Sequence, residues 1–293
     1  MDLFINQVFS GLVRASLYFL VTSGLTLLFG VVGTLNMAHF SLYMIASYLT
    51  WTFHEILAGY AFSYWAAFVC AGLAMAVLGL VIERVLMRHL YDRELGEQLL
   101  ITFAMVYILD DLTKLVWGSN PLFVTRPEIL SNILSFGNIN LPAADIFVLL
   151  LGLTSGTATW YLLSRTGTGR ILRAAYSHKE MLPALGIPIH RTYMGIFVFS
   201  CVLAGVAGSA WTVVGMVDLG QAHSLLIESF CVMVIGGMGS FAGTALSAVI
   251  CGLTYSFGIL YVPKLATLLI FVLTGLILVV RPWGLLGQAG RLH

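Results

Sequence analysis

Charged side chains make up only 9% of the 293 residues, against about 25% in soluble domains. That scarcity excludes an ordinary water-soluble globular chain. The net charge of +1 offers no basic surface for nucleic acid. Cysteines are few as well: Cys70, Cys201, Cys231 and Cys251 all fall inside apolar stretches, too far apart for CxxC chemistry, and read as small core residues. The chain has no G-x-x-x-x-G-K-[ST], and Gly237-Met-Gly239 followed by Gly243 lacks both the lysine and the spacing of a dinucleotide-binding turn. Any ATP is therefore expected on another chain. No Ser/His/Asp grouping or metal-spaced histidine cluster is evident, so neither catalytic residues nor a metal nor a cofactor are expected. Met1–Ser10 lacks the basic n-region of a secretory peptide. The apolar segment that follows is expected to stay as the first helix.

What the chain does have is apolar length. Hydrophobic residues reach 59% and the mean hydropathy is +0.97. Apolar stretches recur at about 8–31, 38–57, 61–82, 99–117, 144–163, 193–217, 225–238, 241–260 and 262–280, most near the ~20 residues that a spanning helix needs. The pattern predicts an all-α polytopic membrane protein of about 8–9 transmembrane helices, forming one transmembrane domain over 1–293.

Basic residues orient it. Arg84, Arg88 and Arg93, then Arg165, Arg170, Arg173, Lys179 and Arg191, then Arg281 and Arg291 hold most of the Lys and Arg, and the positive-inside rule puts all three groups on the cytoplasmic side. The 118–143 loop then faces outward, with Glu128–Phe136 as a short interfacial helix. Met1 is outside if 38–57 spans fully, and inside if that segment is re-entrant.

One apolar run is interrupted by Ile235-Gly236-Gly237-Met238-Gly239-Ser240-Phe241-Ala242-Gly243. Each glycine costs about 1 kcal/mol in a helix interior, and backbone groups freed in lipid find no water. The segment must line a cavity or pack deep against protein, and broken helices at mid-membrane depth are the usual pointer to a transport route. Gly30-Val-Val-Gly33-Thr34 echoes Gly236-Gly-Met-Gly239-Ser240 at a single offset for both glycine pairs. This weak internal repeat suggests two breaks flanking one pathway.

Gly24-Leu-Thr-Leu-Leu-Phe-Gly-Val-Val-Gly-Thr-Leu-Asn36-Met-Ala-His39, Gly169-Arg170 through Leu185-Gly186-Ile187 to Arg191, Leu203-Ala-Gly-Val-Ala-Gly208, Ile235-Gly-Gly-Met-Gly-Ser240 and Arg281-Pro282-Trp-Gly284-Leu-Leu-Gly287 follow one another in an order that resembles the high-affinity branched-chain amino acid ABC importer permeases. The likeness is greatest to the first of that importer's two permease subunits, and it covers about Gly11 to Gly287. It implies a subunit of the bacterial inner membrane that pairs with a second homologous permease, two cytoplasmic ATP-binding subunits and an extracytoplasmic solute-binding protein. It also implies that the 164–192 loop docks on the ATPase, with Arg170, Arg173, Met181, Leu185 and Gly186 as candidate contacts. Arg170–Leu185 reads as a helix, Gly186 as its left-handed stop and Pro188 as a block to continuation. Glu83–Glu97 is a second candidate cytoplasmic contact.

Candidate pathway residues are Asn36, His39, Glu228, Gly236, Gly237, Gly239 and Ser240. Asn36 and His39 either bond the solute or satisfy the backbone beside the first break. Glu228 faces the cavity, a partner helix or the outer surface, and it stands where the resembling permeases commonly have Lys nearby. Ala242 stands where they have Pro. Asp110 and Asp111 are expected to pair with Lys114 along one helix. The reading that follows is an importer permease for branched-chain or other neutral amino acids. Its alternatives are the same importer class for urea or short amides, or a self-sufficient channel or ion-coupled transporter.

Overall fold

A computed structural model describes residues 2–136, 139–177, 186 and 188–287. Among these the chain forms eleven α-helices: α1 (Asp2–Val32), α2 (His39–Ile56), α3 (Ser63–Val85), α4 (Leu95–Trp117), α5 (Glu128–Ser131), α6 (Ala143–Arg165), α7 (Gly167–Ser177), α8 (Ile189–Trp211), α9 (Gly220–Gly236), α10 (Phe241–Tyr261) and α11 (Ala266–Val280). Six segments are long and apolar enough to cross a membrane. All nine apolar stretches are helices. The chain is a polytopic, essentially all-helical membrane protein, as its hydropathy predicts.

The outer loop departs from that prediction. Helix α5 ends at Ser131, and Ile133–Phe136 (β1) pairs antiparallel with Ile139–Pro142 (β2), Ile133 opposite Pro142 and Phe136 opposite Ile139. The interfacial helix expected over Glu128–Phe136 is therefore one turn followed by a strand. Ala143 N–H donates to Asn132 O at 2.9 Å, and Leu122 exchanges backbone bonds with Val217. These bonds tie the outer loop to the top of the bundle.

Helix α1 is the axis of the bundle. It lies antiparallel to α10 along its length: Phe4 stacks near Phe257, Ser256 Oγ donates to Gln7 O at 2.7 Å, and Thr26 and Thr244 share a hydroxyl hydrogen bond at 2.8 Å. The two backbones approach closely because Gly252 has no side chain; a Cβ there would collide with Gly11 O. In lipid this is the expected mode of helix association, since apolar surface alone drives little when the solvent is also apolar. If Arg281 lies on the cytoplasmic side, as the positive-inside rule predicts, the pairing of the α1 start with the α10 end puts the first turns of α1 on the outer side. Helix α2 starts beside Val21 and not at the end of α1, so it does not run the full depth of that helix.

Interhelical hydroxyl and amide bonds add to the packing. Thr50 and Ser209 join α2 to α8 at 2.7 Å, Gln221 Nε2 donates to Ser47 Oγ at 2.6 Å, and Ser247 Oγ donates to Val232 O at 2.6 Å. Each such bond contributes on average about 0.6 kcal/mol in a membrane protein. At the outer ends of α3 and α6, Tyr64, Trp65, Phe68 and Phe147 form an edge-to-face cluster. Its level suits an interfacial aromatic belt.

Candidate functional site

The backbone break that reaches into the bundle is the first one. Helix α1 ends at Val32, Gly33 takes φ +78°, and the chain turns back so that His39, the first residue of α2, lies beside Val21. That is about 16 Å along α1 from its end, at 1.5 Å per residue. Thr34, Leu35 and Asn36 are buried. Their polar groups are met locally: Ala38 N–H donates to Asn36 Oδ1 at 3.1 Å, His39 N–H donates to Asn36 O at 3.2 Å, and Thr102 Oγ1 of α4 reaches Leu35 O. Asn36 thus serves the backbone, one of the two roles read from sequence. The Asn36 amide nitrogen has no hydrogen-bond partner among the described residues.

His39 ties three helices. Its Nε2 lies 3.0 Å from Val21 O, which can only accept, so Nε2 carries the proton, and Nδ1 faces Ser200 Oγ of α8 at 3.4 Å. Both ring nitrogens are engaged by the protein and the side chain is fully buried.

The second break lies beside the last turn of α1, where Gly239 approaches Gly30. Helix α9 stops at Gly236, and Gly237 and Gly239 both take positive φ, +97° and +89°. Ser240 caps α10, its Oγ accepting from Gly243 N–H at 3.1 Å. The carbonyls freed by the break are met by the segment after α11: Leu285 N–H donates to Ile235 O at 2.7 Å and Leu286 N–H to Gly236 O at 3.2 Å. A Cβ at Gly237 would sit 2.5 Å from Gly287 N, and one at Gly284 (φ +76°) 2.5 Å from Gly237 N. The break packs deep, and Arg281–Gly287 is the piece that seals it. Sequence reading noticed that closing motif without its role. The glycines at 284 and 287, matching those at 236, 237 and 239, were the available signal.

The two breaks also touch. A Cβ on Gly30, in the last turn of α1, would meet Gly239 Cα at 3.1 Å. The echo between Gly30–Thr34 and Gly236–Ser240 therefore marks two chain reversals at one level of the bundle, with Gly33 and Gly239 both in the left-handed half of φ.

Glu228 is neither at the outer surface nor open to solvent. It is 5% exposed, and its Oε2 accepts from Arg14 Nη2 at 2.9 Å and from Tyr18 Oη at 2.6 Å. The Arg14 guanidinium also lies over the rings of Tyr18 and Tyr255, at 5.1 and 4.5 Å from their centroids. Of the three placements considered for Glu228, the partner-helix ion pair is the one found. Arg14 and Tyr18 went unnoticed because a single Arg barely lowers the hydropathy of a thirty-residue run. One Arg in one apolar stretch and one Glu in another was the signal.

Asp110 is also placed differently from expectation. Its Oδ1 accepts from Ser41 Oγ of α2 at 2.9 Å, and His223 Nδ1 of α9 stands 3.7 Å from Oδ2. Among the described residues Lys114 forms no ion pair with Asp110 or Asp111.

On the cytoplasmic side, α7 begins at Gly167, before the expected Arg170. Thr166 Oγ1 caps it by accepting from Gly169 N–H at 3.0 Å. Gly169 is crossed so closely by the carbonyls of Leu162 and Leu163 that a Cβ could not fit, and Arg173 donates to Leu163 O. Leu172 is buried while Arg170 and Arg173 are exposed. An apolar cavity of about 440 Å³ lies behind α7, lined by Leu27, Val31, Leu163, Ile171, Leu172 and Ile196. Gly186 takes φ +73°, the left-handed conformation expected there, and Pro188 is the N-cap of α8. Met181 and Leu185 lie outside the described residues. In the other cytoplasmic turn, Glu83 and Tyr91 are buried, and Tyr91 packs edge-on against Tyr193.

The chain belongs to the family of branched-chain amino acid transport system permease components, whose model matches residues 7–280. It is accordingly a permease component of a binding-protein-dependent ABC transporter, a multi-pass membrane subunit without catalytic activity of its own. It is 27% identical to the high-affinity branched-chain amino acid transport system permease protein BraD of Pseudomonas aeruginosa over 97% of this chain and 96% of that one. The permease protein LivH of Escherichia coli K12 is 27% identical over the same shares. A shorter match, 32% identical over 29% of this chain and 24% of the other, is to the fructose import permease protein FrcC of Rhizobium meliloti. No solved structure matches.

Two predictions follow from the packing. Gly237→Ala or Gly284→Ala forces an unfavourable φ, about 1–2 kcal/mol each, and adds a backbone collision. Both should lower the melting temperature of the purified permease, whereas Gly275→Ala, with open space around it, should leave it unchanged or raise it slightly. For the buried pair, Arg14→Met or Glu228→Leu alone should destabilise by about 3–5 kcal/mol, and the double change should recover most of the loss. A double-mutant cycle by denaturant unfolding reads this out; additive losses would show that the pair does not act as a unit.

Proposed function

We propose that this chain is the permease of an importer for branched-chain or other neutral amino acids, driven by ATP that two partner ATPase subunits hydrolyse. The observation that carries the reading is the 27% identity along 97% of the chain to two permeases named for branched-chain amino acid transport. Its other partners are a second homologous permease and an extracytoplasmic solute-binding protein. The reading in favour of urea or short amides rests on the carboxylate at Glu228. That carboxylate is buried and its Oε2 is held by Arg14 and Tyr18, which argues against a role in selecting the solute.

Asn36, His39, Gly236, Gly237, Gly239 and Ser240 frame the two reversals, and in this reading they line the pathway from its cytoplasmic gate at Gly236–Ser240 up to His39. Glu228 fixes the helix that ends at that gate. The 164–192 segment is the ATPase coupling element, with exposed Arg170 and Arg173 presented to the partner and Met181, Leu185 and Gly186 completing the contact. Helix α7 is suited to the task, because its N-terminal turn is locked to α6 while its apolar face rests against α1 and α8.

Reconstitution with the binding protein and ATPase subunits tests the reading. Leucine uptake should require ATP and all partners, and uptake by the permease alone would favour a channel or ion-coupled carrier. Gly186→Val forces a β-branched residue into a left-handed conformation, a strain of about 1–2 kcal/mol. Uptake and solute-stimulated ATPase activity should fall together while the subunit still inserts. Full uptake with an unaltered ATPase response would remove this segment from the coupling role.

A further inference from the structure

Glu228 and Asp110 are both carboxylates that touch neighbouring helices, and they differ in their partners. Glu228 is 5% exposed, and its Oε2 takes both a cation and a phenol, at 2.9 and 2.6 Å. Asp110 has no cation within hydrogen-bond length among the described residues. Its Oδ1 has the Ser41 hydroxyl at 2.9 Å, while the only group near Oδ2 among the described ion pairs is His223 Nδ1 at 3.7 Å, beyond hydrogen-bond length. The side chains remain 17% and 59% exposed, so the cluster opens away from the bundle.

Its depth makes that arrangement informative. Asp110 lies seven residues before the outer end of α4 at Trp117, about 10 Å inside at 1.5 Å per residue. Ser41 is the third residue of α2, whose first residue sits beside the middle turns of α1. A carboxylate with an unfilled oxygen cannot face hydrocarbon at that depth without heavy cost. The face into which it opens must therefore be polar in the assembled transporter. The three groups come from α2, α4 and α9, so the site is built by the fold and not by one helix. A carboxylate with one oxygen held by a hydroxyl and the other open suits an incoming N–H donor carrying positive charge.

We propose that Ser41, Asp110 and His223 form a water-accessible site in the outer half of the translocation path that receives the ammonium group of the solute. Asp110 supplies the charge, Ser41 fixes its rotamer, and His223 borders the open oxygen. This rests on the amino acid importer reading and names the part of the solute that the permease recognises.

The test uses the complete importer in proteoliposomes, its native cysteines replaced, with Ser224→Cys as a reporter. Ser224 is exposed next to His223 and leaves the three groups intact. A cationic methanethiosulfonate should react about 10-fold faster than an anionic one, relative to a free thiol, because the carboxylate concentrates cations locally. Asp110→Asn keeps the shape and the Ser41 bond, and should bring the ratio to about one. In the same vesicles Asp110→Asn should raise the KM for leucine about 10-fold with little change in kcat, as expected when a contact made equally in the ground state and the transition state is lost, and Asp110→Glu should restore part of it. No reaction with either reagent, or a ratio indifferent to Asp110→Asn, overturns the site even if leucine is transported normally. A cation preference that depends on Asp110 in an importer that does not carry leucine would keep the site and reject the amino acid reading instead.

Discussion

Every backbone N–H and C=O that leaves a helix inside a membrane must find a partner in the protein, because lipid offers none. The rest of this structure follows from how that requirement is met at two chain reversals. At the first, an asparagine side chain and a threonine from α4 take up the groups freed between Val32 and His39. At the second, a separate piece of chain from beyond α11 lies against the break and donates to two carbonyls. The two solutions differ in kind. The first uses side chains and so preserves irregular backbone deep in the bundle, while the second uses backbone against backbone and needs glycine on both sides of the contact.

The same accounting governs charge. A lone Arg in α1 would be costly in lipid, and so would a lone Glu in α9; together, with a phenol and two aromatic rings, they form a closed group joining the axis helix to the helix that ends at the second break. His39 performs the neutral version of this task, donating to α1 and accepting from α8. Both groups fix the position of α1, and both ring nitrogens of His39 are already engaged. Polar residues within a span are therefore not equivalent as functional candidates, and the number of their bonds already filled separates them.

Helices were legible because nine apolar stretches are long compared with the errors at their ends. The glycine-rich run was legible as a break, since no helix interior carries four glycines in eight residues. The β-hairpin was missed although Gly137-Asn138 between two short runs is a hairpin signal; the longer apolar pattern around it pulled the reading toward helix. Asp110 was assigned to Lys114 on spacing within one helix. Its partners belong to α2 and α9, contacts that no local spacing encodes. Glu228 shows the same limit: the sequence offered three environments, and only the arrangement of α1 against α9 selects among them.

The position of α7 connects these local solutions to the proposed coupling. Its first turn is held to α6 through Gly169 and Arg173, so it cannot slide along that helix without breaking bonds to the Leu163 carbonyl. Its apolar face, by contrast, borders a cavity of about 440 Å³ shared with Leu27 and Val31 of α1, which leaves room for displacement without overpacking. Val31 is one residue from Gly30, and Gly30 is where α1 meets the second break. A push on α7 is therefore received first by the last turns of α1, at the level where both reversals lie. The fold is stiff where α1 is bonded to α8, α9 and α10, and yielding between α1 and α7. In the proposed coupling, that distribution would let a cytoplasmic partner act on the gate while the other half of the bundle stays in place.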